Sequence, residues 1–420
     1  MRNSKNSSGN GRRRVVLTGM GTVSPFGYGS DVLFDALLDG RSSVRSMDSW
    51  DEYEGLRSHV AAPCDIRGEK DIPRKARRSM SPMGIMAAQA ADMALSMSGL
   101  PSDIVVSGRC GCVVGSTMGS AKITNEAFEL VLPGKDFSKV TSMMFFKTMA
   151  HSCSANLAGY LGLKGMVLAT SAACASGLQA IGTGFDMIRL GRQDAMLCGG
   201  AEEIHPTVTG IFDLLYAAST AYNEEPSKTP RPFDAERDGL VCGEGAGILL
   251  LESLESAKAR GAEILAEILG YETTASGDHV GQSSPEAMTR CVKGALRDAG
   301  TAPEEVDYVN AHATATLQGD AAEAEAIRRV FGAAVPVSSL KGHIGHTLGA
   351  SGALELVASV EMIRRNAIVP TLNLEEVAAD CAGINLPKEP LLDARLRRVV
   401  KNSFAFGGVN ASIVVAPFES

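Results

Sequence analysis

Short apolar runs alternate with longer Ala-, Met- and Leu-rich stretches along most of the chain, and the two patterns have different periods. The short runs are bounded by Gly, Pro or polar turns. They predict strands at Arg14–Thr18, Cys112–Val114, Met166–Ala169, Ala195–Cys198 and Gly247–Glu252. Further strands are predicted at Ile264–Tyr271, Val306–Asn310, Val335–Val337, Arg398–Asn402 and Ala411–Pro417. The longer stretches have helical spacing, which predicts helices over Ser79–Ser98, Ser176–Leu190, Ser284–Ala299, Ala321–Val330 and Gly349–Asn366. Such alternation is the pattern of an α/β protein. In each half a strand reaches a Gly/Ala-rich turn with a reactive-looking side chain and then opens a helix, suggesting a duplicated architecture divided near residues 253–263. Met80, Met83, Met86, Met93 and Met97 recur at helical spacing and are expected in the core or a subunit contact.

Composition narrows the function classes. With 420 residues, 45% of them hydrophobic and 21% charged, the chain is expected to form one large domain or two packed halves. Its 45 glycines and 5% aromatics favour close-packed layers over an aromatic binding surface. A net charge of −8 opposes polyanion binding, so nucleic acid is not an expected partner. The nine cysteines are odd in number and scattered, and they read as reduced thiols of a cytoplasmic protein. Residues 1–12 lack the apolar stretch of a signal peptide and read as a disordered lead-in or an appended remnant. No run approaches the roughly 20 apolar residues of a membrane helix, so no membrane association is expected.

Four segments could carry chemistry. In Ala169-Thr-Ser-Ala-Ala-Cys174-Ala-Ser-Gly177 a thiol precedes a helix. The positive end of the macrodipole is expected to lower its pKa, although a free cysteine is also often a small buried hydrophobe. His312 follows a strand end, with Thr314 and Thr316 on alternate positions; it reads as a functional imidazole or as a satisfied core histidine. Lys341, His343 and His346 share a Gly-rich loop that enters an apolar helix, where Glu355 should be buried and in need of a partner. A metal at His343/His346 is not expected, because no third ligand sits nearby in sequence. The Gly407-Gly408 pair could let backbone N–H groups converge on an oxyanion, or simply form a β-turn. Two other features are discounted: Gly243-Glu-Gly-Ala-Gly247 runs into a strand rather than opening a helix, and Glu202-Glu203 reads as a solvated or turn pair. Together the four segments supply a thiol, two imidazoles, a lysine and an amide pocket, an inventory suited to thioester chemistry without metal or nucleotide.

In order and spacing these segments resemble the β-ketoacyl-acyl-carrier-protein synthases of the synthase I/II elongation type. The resemblance runs from about residue 13 to 418 and includes Ala218-Ser-Thr-Ala-Tyr-Asn223 and Arg231-Pro-Phe-Asp-Ala-Glu-Arg-Asp-Gly239. It implies the thiolase fold, two similar α/β halves in a five-layered αβαβα arrangement, here 13–258 with Cys174 and 259–420 with His312, Lys341 and His346. It also implies a homodimer that takes acyl carrier protein as partner and needs no cofactor of its own, phosphopantetheine arriving on the carrier. The implied catalytic set is Cys174, His312, His346 and Lys341, with the Cys174 and Phe406 N–H groups as oxyanion hole and Phe406 as gate. Thr314, Thr316, Met118, Phe404 and Gly407 are the implied substrate-binding residues, and Arg74, Lys75 and Arg78 an implied carrier-docking patch. Departures from the family pattern are Ala313, Ala315, Gly342, His343, Ile344, Ala405 and Lys401, the last at a position where relatives usually carry a small residue. A polyketide ketosynthase or a non-catalytic dimer partner are the alternative readings.

Overall fold

A computed structural model describes residues 12–419, so the expected lead-in lies outside the described residues except for Arg12. Ten strands build the core. The first half supplies β1 (Val15–Ser24), β2 (Cys110–Gly115), β3 (Val167–Leu168), β4 (Ala195–Glu202) and β5 (Gly245–Ser253). The second supplies β6 (Ala266–Ala275), β7 (Tyr308–Asn310), β8 (Val337–Ser338), β9 (Val399–Phe404) and β10 (Val409–Ala416). The two sets pair in the same order, β3-β2-β4-β5-β1 and β8-β7-β9-β10-β6. In both, the first two pairings are parallel and the last two antiparallel. The duplication suspected from the sequence is visible in this repeated order. The sheets join where Val15–Leu17 of β1 pair with Ala266–Ile268 of β6.

Helices α1 (Pro82–Ser98), α2 (Ser152–Leu161), α3 (Ser176–Arg189), α4 (Pro285–Ala299), α5 (Leu317–Phe331), α6 (Lys341–Ile344) and α7 (Ser351–Arg365) complete the layers. Strand side chains alternate between faces, so each sheet buries two apolar surfaces. On the first sheet's outer face, Val114, Leu197 and Leu250 meet Met83, Met86 and Ala90 of α1. On the second sheet's outer face, Val309, Val400 and Val414 meet Cys291 and Val292 of α4 and Ile327 of α5. Between the sheets, Leu178 and Ile181 of α3 pack with Leu354 and Val357 of α7, touching Val113 and Met196 on one side and Val399 and Ile413 on the other. The result is the expected αβαβα stack. α7 is buried from Ser351 to Ile363, as a helix in a middle layer must be.

The differences from the sequence reading have local causes. β1 runs past the predicted Thr18 to Ser24, because Gly19 and Gly21 press against α1: a Cβ on either would stand 2.1 Å from a carbonyl oxygen of that helix. The helices at Ser30–Leu38, Ala121–Val131, Ser142–Thr148, Pro206–Leu214 and Leu254–Ala259, and α2, were not predicted. All are at most eleven residues long, too short to show a sustained helical pattern in the sequence. Met80, Met83 and Met86 are core residues, whereas Met97 is exposed.

One contact sets the spacing of the middle layer. Gly177 at the start of α3, Gly200 in β4 and Gly349 just before α7 meet backbone to backbone; a Cβ on Gly200 would lie 2.2 Å from Gly349 O and 3.0 Å from Gly177 Cα. Gly200→Ala is therefore expected to cost about 1–3 kcal/mol in chemical denaturation, the range for overpacking. Gly134→Ala, at an exposed position where a Cβ would meet only the Asp136 side chain at an ordinary 3.8 Å, should stay close to wild type. Equal midpoints for the two variants would contradict this packing.

Candidate active site

The thiol comes from the first half. After β3 the chain turns through Ala173, whose φ of 46° lies in the left-handed region, and Cys174 stands just before α3. The Ala172 N–H donates to Ser176 Oγ at 2.8 Å, and that hydroxyl donates to Ala173 O at 2.6 Å, pinning the strained turn. The imidazoles come from the second half. The loop after β7 is held by two carboxylates of α5: the His312 and Ala313 N–H groups donate to Glu323 at 2.9 and 2.6 Å, and those of Thr314 and Ala315 donate to Asp320 at 2.9 and 3.1 Å. The loop after α6 is clamped by first-half backbone, with His346 N–H donating to Val241 O at 2.7 Å and Gly243 N–H to His346 O at 2.9 Å.

These loops bring Cys174, His312 and His346 together, with one ligand-type atom of each within 4.8 Å of the others. The two imidazoles are 5.1 Å apart and nearly perpendicular at 80°. His312 Nδ1 and both ring nitrogens of His346 are buried without a hydrogen-bond partner. Beneath them Lys341, fully buried, donates from Nζ to Glu355 Oε1 at 2.7 Å, and Ser351 Oγ donates to the same oxygen at 3.0 Å. Lys401 Nζ lies 2.6 Å from Glu355 Oε2, so the expected partner of Glu355 is in fact two ammoniums.

Burial dominates the electrostatics. It pushes the Cys174 thiol up to about 12, with Lys341 the leading opposing influence. The expected depression by the helix terminus is therefore overturned: removing the thiolate from water costs more than the nearby positive charge returns. Burial first, and Lys341 second, hold His312 and His346 well below the ordinary imidazole value. The site at rest holds a thiol and two neutral imidazoles.

A cleft of about 610 Å³, open mouth included, is lined by all three groups together with Thr314, Thr316 and Phe404. Thr314 and Thr316 share a hydroxyl–hydroxyl contact at 3.0 Å. Phe406 also lines the cleft, is 40% exposed and packs against Phe212 with ring centres 5.9 Å apart. Other expected residues are not brought here. Met118 is 44% exposed and outside the cleft lining. Gly407 is outside it too and donates its N–H to Val280 O at 2.9 Å. Arg74, Lys75 and Arg78 are exposed on and beside a single helical turn, Arg74–Arg77. His343 faces the carbonyl oxygens of Arg41 and Pro370 at 3.0 and 3.3 Å, so it does not pair with His346.

The reading of Glu202-Glu203 as a solvated pair is corrected: both are buried. Glu202 accepts the Thr117 N–H at 2.7 Å and the Gly349 N–H at 3.0 Å, tying the two halves beside the site. Asp320, Glu323 and the cleft residues Ser276 and 280–284 were not singled out from the sequence. The two acids lie three apart in an Ala-rich helix; the argument applied to Glu355 would have found them.

The family model described as "Beta-ketoacyl synthase, N-terminal domain" matches residues 12–257, and "Beta-ketoacyl synthase, C-terminal domain" matches residues 265–375. The chain belongs to the β-ketoacyl synthase family. Among its relatives, the 3-oxoacyl-[acyl-carrier-protein] synthase 1 of Haemophilus influenzae is 37% identical over 96% of this chain and 98% of its own. That of Escherichia coli K12 is 36% identical with the same coverage. A β-ketoacyl synthase from Burkholderia phymatum superposes with a TM-score of 0.93 at 44% identity, covering 97% of this chain and 100% of its own. A type II polyketide ketosynthase, in complex with its acyl-carrier protein, superposes at 0.89 with 31% identity and the same coverage.

Glu202 gives this synthase a pH signature. Burial raises its carboxyl from 4.5 to about 7, so between those values the folded chain keeps a proton that the unfolded chain has released. Stability from this group is full below the unfolded value and falls as pH rises to the folded one, by about 3 kcal/mol in total. In urea titrations Glu202→Gln should gain on wild type between about pH 5 and pH 8. A difference that stays constant with pH would refute the assignment.

Proposed function

We propose that this chain condenses malonyl-acyl-carrier-protein with an acyl group held on Cys174, lengthening fatty acyl chains by two carbons. One observation carries the reading: three buried imidazole nitrogens lack partners within a few ångströms of a nucleophilic sulfur. Unsatisfied buried nitrogens are costly unless a ligand completes them; each neutral ring has one N–H to donate, and a thioester carbonyl oxygen accepts one from each ring.

The thiol is neutral at rest, so it loses its proton to a neutral imidazole as its sulfur attacks the acyl thioester carbonyl. The carrier thiolate leaves and takes up a proton, and the acyl group now rests on Cys174. The Cys174 and Phe406 N–H groups are assigned to the oxyanion of this step. Malonyl-carrier-protein then enters, and His312 and His346 hydrogen-bond its thioester oxygen. Carbon dioxide departs and its bonding electrons form the enolate. The enolate carbon attacks the acyl-Cys174 carbonyl, a carbon–carbon bond forms, and the cysteine sulfur leaves as thiolate and takes a proton from solvent, the first proton having gone to the carrier thiol. Lys341 does not touch substrate in this scheme: bound to Glu355, it keeps the imidazoles neutral. Phe406 is assigned as gate, and Thr314 and Thr316 as partners of the phosphopantetheine arm, which the substrate itself carries.

The acyl carrier protein is assigned as partner, supported by the neighbour whose title describes a ketosynthase with its carrier protein, and Arg74, Lys75 and Arg78 offer an exposed basic surface to it. A homodimer is supported by β3, an unpaired sheet edge with Val167 and Leu168 exposed, since an open apolar edge favours pairing with a second copy. A cytoplasmic setting is supported by nine free cysteines, all buried. Among the described residues, no helix is long and apolar enough to cross a membrane. A polyketide role is the second reading, favoured by the 31% identical neighbour whose title describes a type II polyketide ketosynthase. The higher identity to elongation synthases places fatty acid synthesis first.

Intact mass after incubation with acyl-carrier-protein of graded chain length should show one acyl adduct on wild type and none on Cys174→Ala. An unchanged condensation rate in that variant would end the proposal. His312→Ala should slow malonyl decarboxylation about 100-fold or more, the scale for losing one donor to a developing oxyanion. Failure to extend ordinary saturated acyl carriers would turn the assignment to the polyketide reading. Light scattering should give twice the 43.9 kDa chain mass.

A further inference from the structure

Lys401 lies in the middle of β9, fully buried. Strand alternation decides where it points. Val399 belongs to the middle-layer core and Val400 to the outer one, so Lys401 shares the middle-layer face while Asn402 points outward toward α5. On that middle face Lys401 meets Glu355 of α7, with 2.6 Å between Nζ and Oε2, and Nζ also donates to the carbonyl oxygen of Asn402. On the outer face Asn402 Nδ2 donates to Glu323 Oε1 at 3.4 Å, and Glu323 is the carboxylate that holds the backbone of His312 and Ala313.

A buried ammonium is retained only with compensation. Here the compensation forms a closed group. Lys341 and Lys401 are two cations, Glu355 and Glu323 two anions, and all four are essentially unexposed. Lys341 takes one oxygen of Glu355 and Lys401 the other. The other polar groups around them are uncharged: Asn310 Nδ2 donates to Ser359 Oγ, and Ser351 Oγ donates to Glu355. The imidazoles of His312 and His346 complete the surroundings, and both feel the charge of Lys401.

We propose that Lys401 is a positioning residue for the decarboxylating half of the reaction: it fixes Glu355 from the oxygen that Lys341 leaves free and neutralises the buried charge beneath the two imidazoles. The inference rests on the functional reading above and adds to it a residue that acts through Glu355 and Lys341 rather than on substrate. It separates the two half-reactions. Acylation of Cys174 needs one neutral imidazole as proton acceptor, its oxyanion resting on backbone N–H groups; decarboxylation needs both histidines as donors to the enolate oxygen and so leans harder on the charged group that supports them.

The sign of the pH effect follows. Removing one positive charge leaves the group net negative, which favours imidazolium and moves the acid limb of decarboxylation to higher pH. In the wild type, burial outweighs Glu355 and lowers Lys401 to about 8, so an alkaline limb is expected near that pH and should vanish when Lys401 does.

The test is to measure Cys174 acylation by intact mass and malonyl-carrier-protein decarboxylation by carbon dioxide release, across pH, on wild type and Lys401→Met. The expected result is at least a tenfold loss of decarboxylation, acylation within about twofold, an acid limb at higher pH and no alkaline limb. The double variant Lys401→Met/Glu323→Gln, which restores charge balance, should return the acid limb toward wild type. Equal loss of both half-reactions with unmoved limbs, or wild-type decarboxylation in Lys401→Met, would overturn the proposal. If Lys401→Met does not fold, Lys401→Gln takes its place, and the alkaline limb of the wild type decides independently: its absence counts against Lys401. Wild-type protein that neither acylates nor decarboxylates would overturn the functional reading itself, and the inference with it.

Discussion

The sulfur and the imidazoles belong to different halves of the chain, so the chemistry depends on how closely the halves approach. That approach is set where Gly177, Gly200 and Gly349 touch backbone to backbone. Gly177 opens the helix that follows Cys174; Gly349 follows His346 by three residues. A side chain at this crossing forces the halves apart, and thiol and imidazole separate with them. Glu202 reinforces the crossing by accepting N–H groups from both halves, so its burial, unfavourable in itself, sits where a rigid tie is needed.

Around this contact the protein uses carboxylates as brackets for backbone rather than as reagents. Glu323 and Asp320 hold successive N–H groups of the His312 loop, and Glu202 and Glu203 hold those around Thr117 and Lys122. A carboxylate that accepts several N–H groups fixes a loop more firmly than a neutral acceptor does. The loops can then carry strain: Ala173 and Ala315 both sit at positive φ without glycine's freedom. Reacting groups on such loops are held in place before substrate arrives, which is what charge stabilisation in the transition state requires.

Much of this was readable in the sequence where a residue carried its own signal. Cys174 before a helix, His312 at a strand end and Glu355 in an apolar helix each broke a local pattern and were found for that reason. Residues whose meaning lies across the fold were harder to see. Nothing in the Gly-Gln-Ser-Ser run at 281–284 announces a cleft wall, since the wall exists only once the turn at 405–408 folds against it. The thiol's protonation was misjudged because the helix terminus is local and the desolvation is tertiary. Met118 was placed by resemblance in a pocket that this single chain does not enclose around it.

The matched strand order of the two sheets carries one more consequence, which concerns synthesis of the chain. All five strands of the first sheet precede His312 and His346 in the chain, so translation supplies the thiol and its scaffold before either imidazole. The sulfur and its proton acceptor become neighbours only when both sheets are in place.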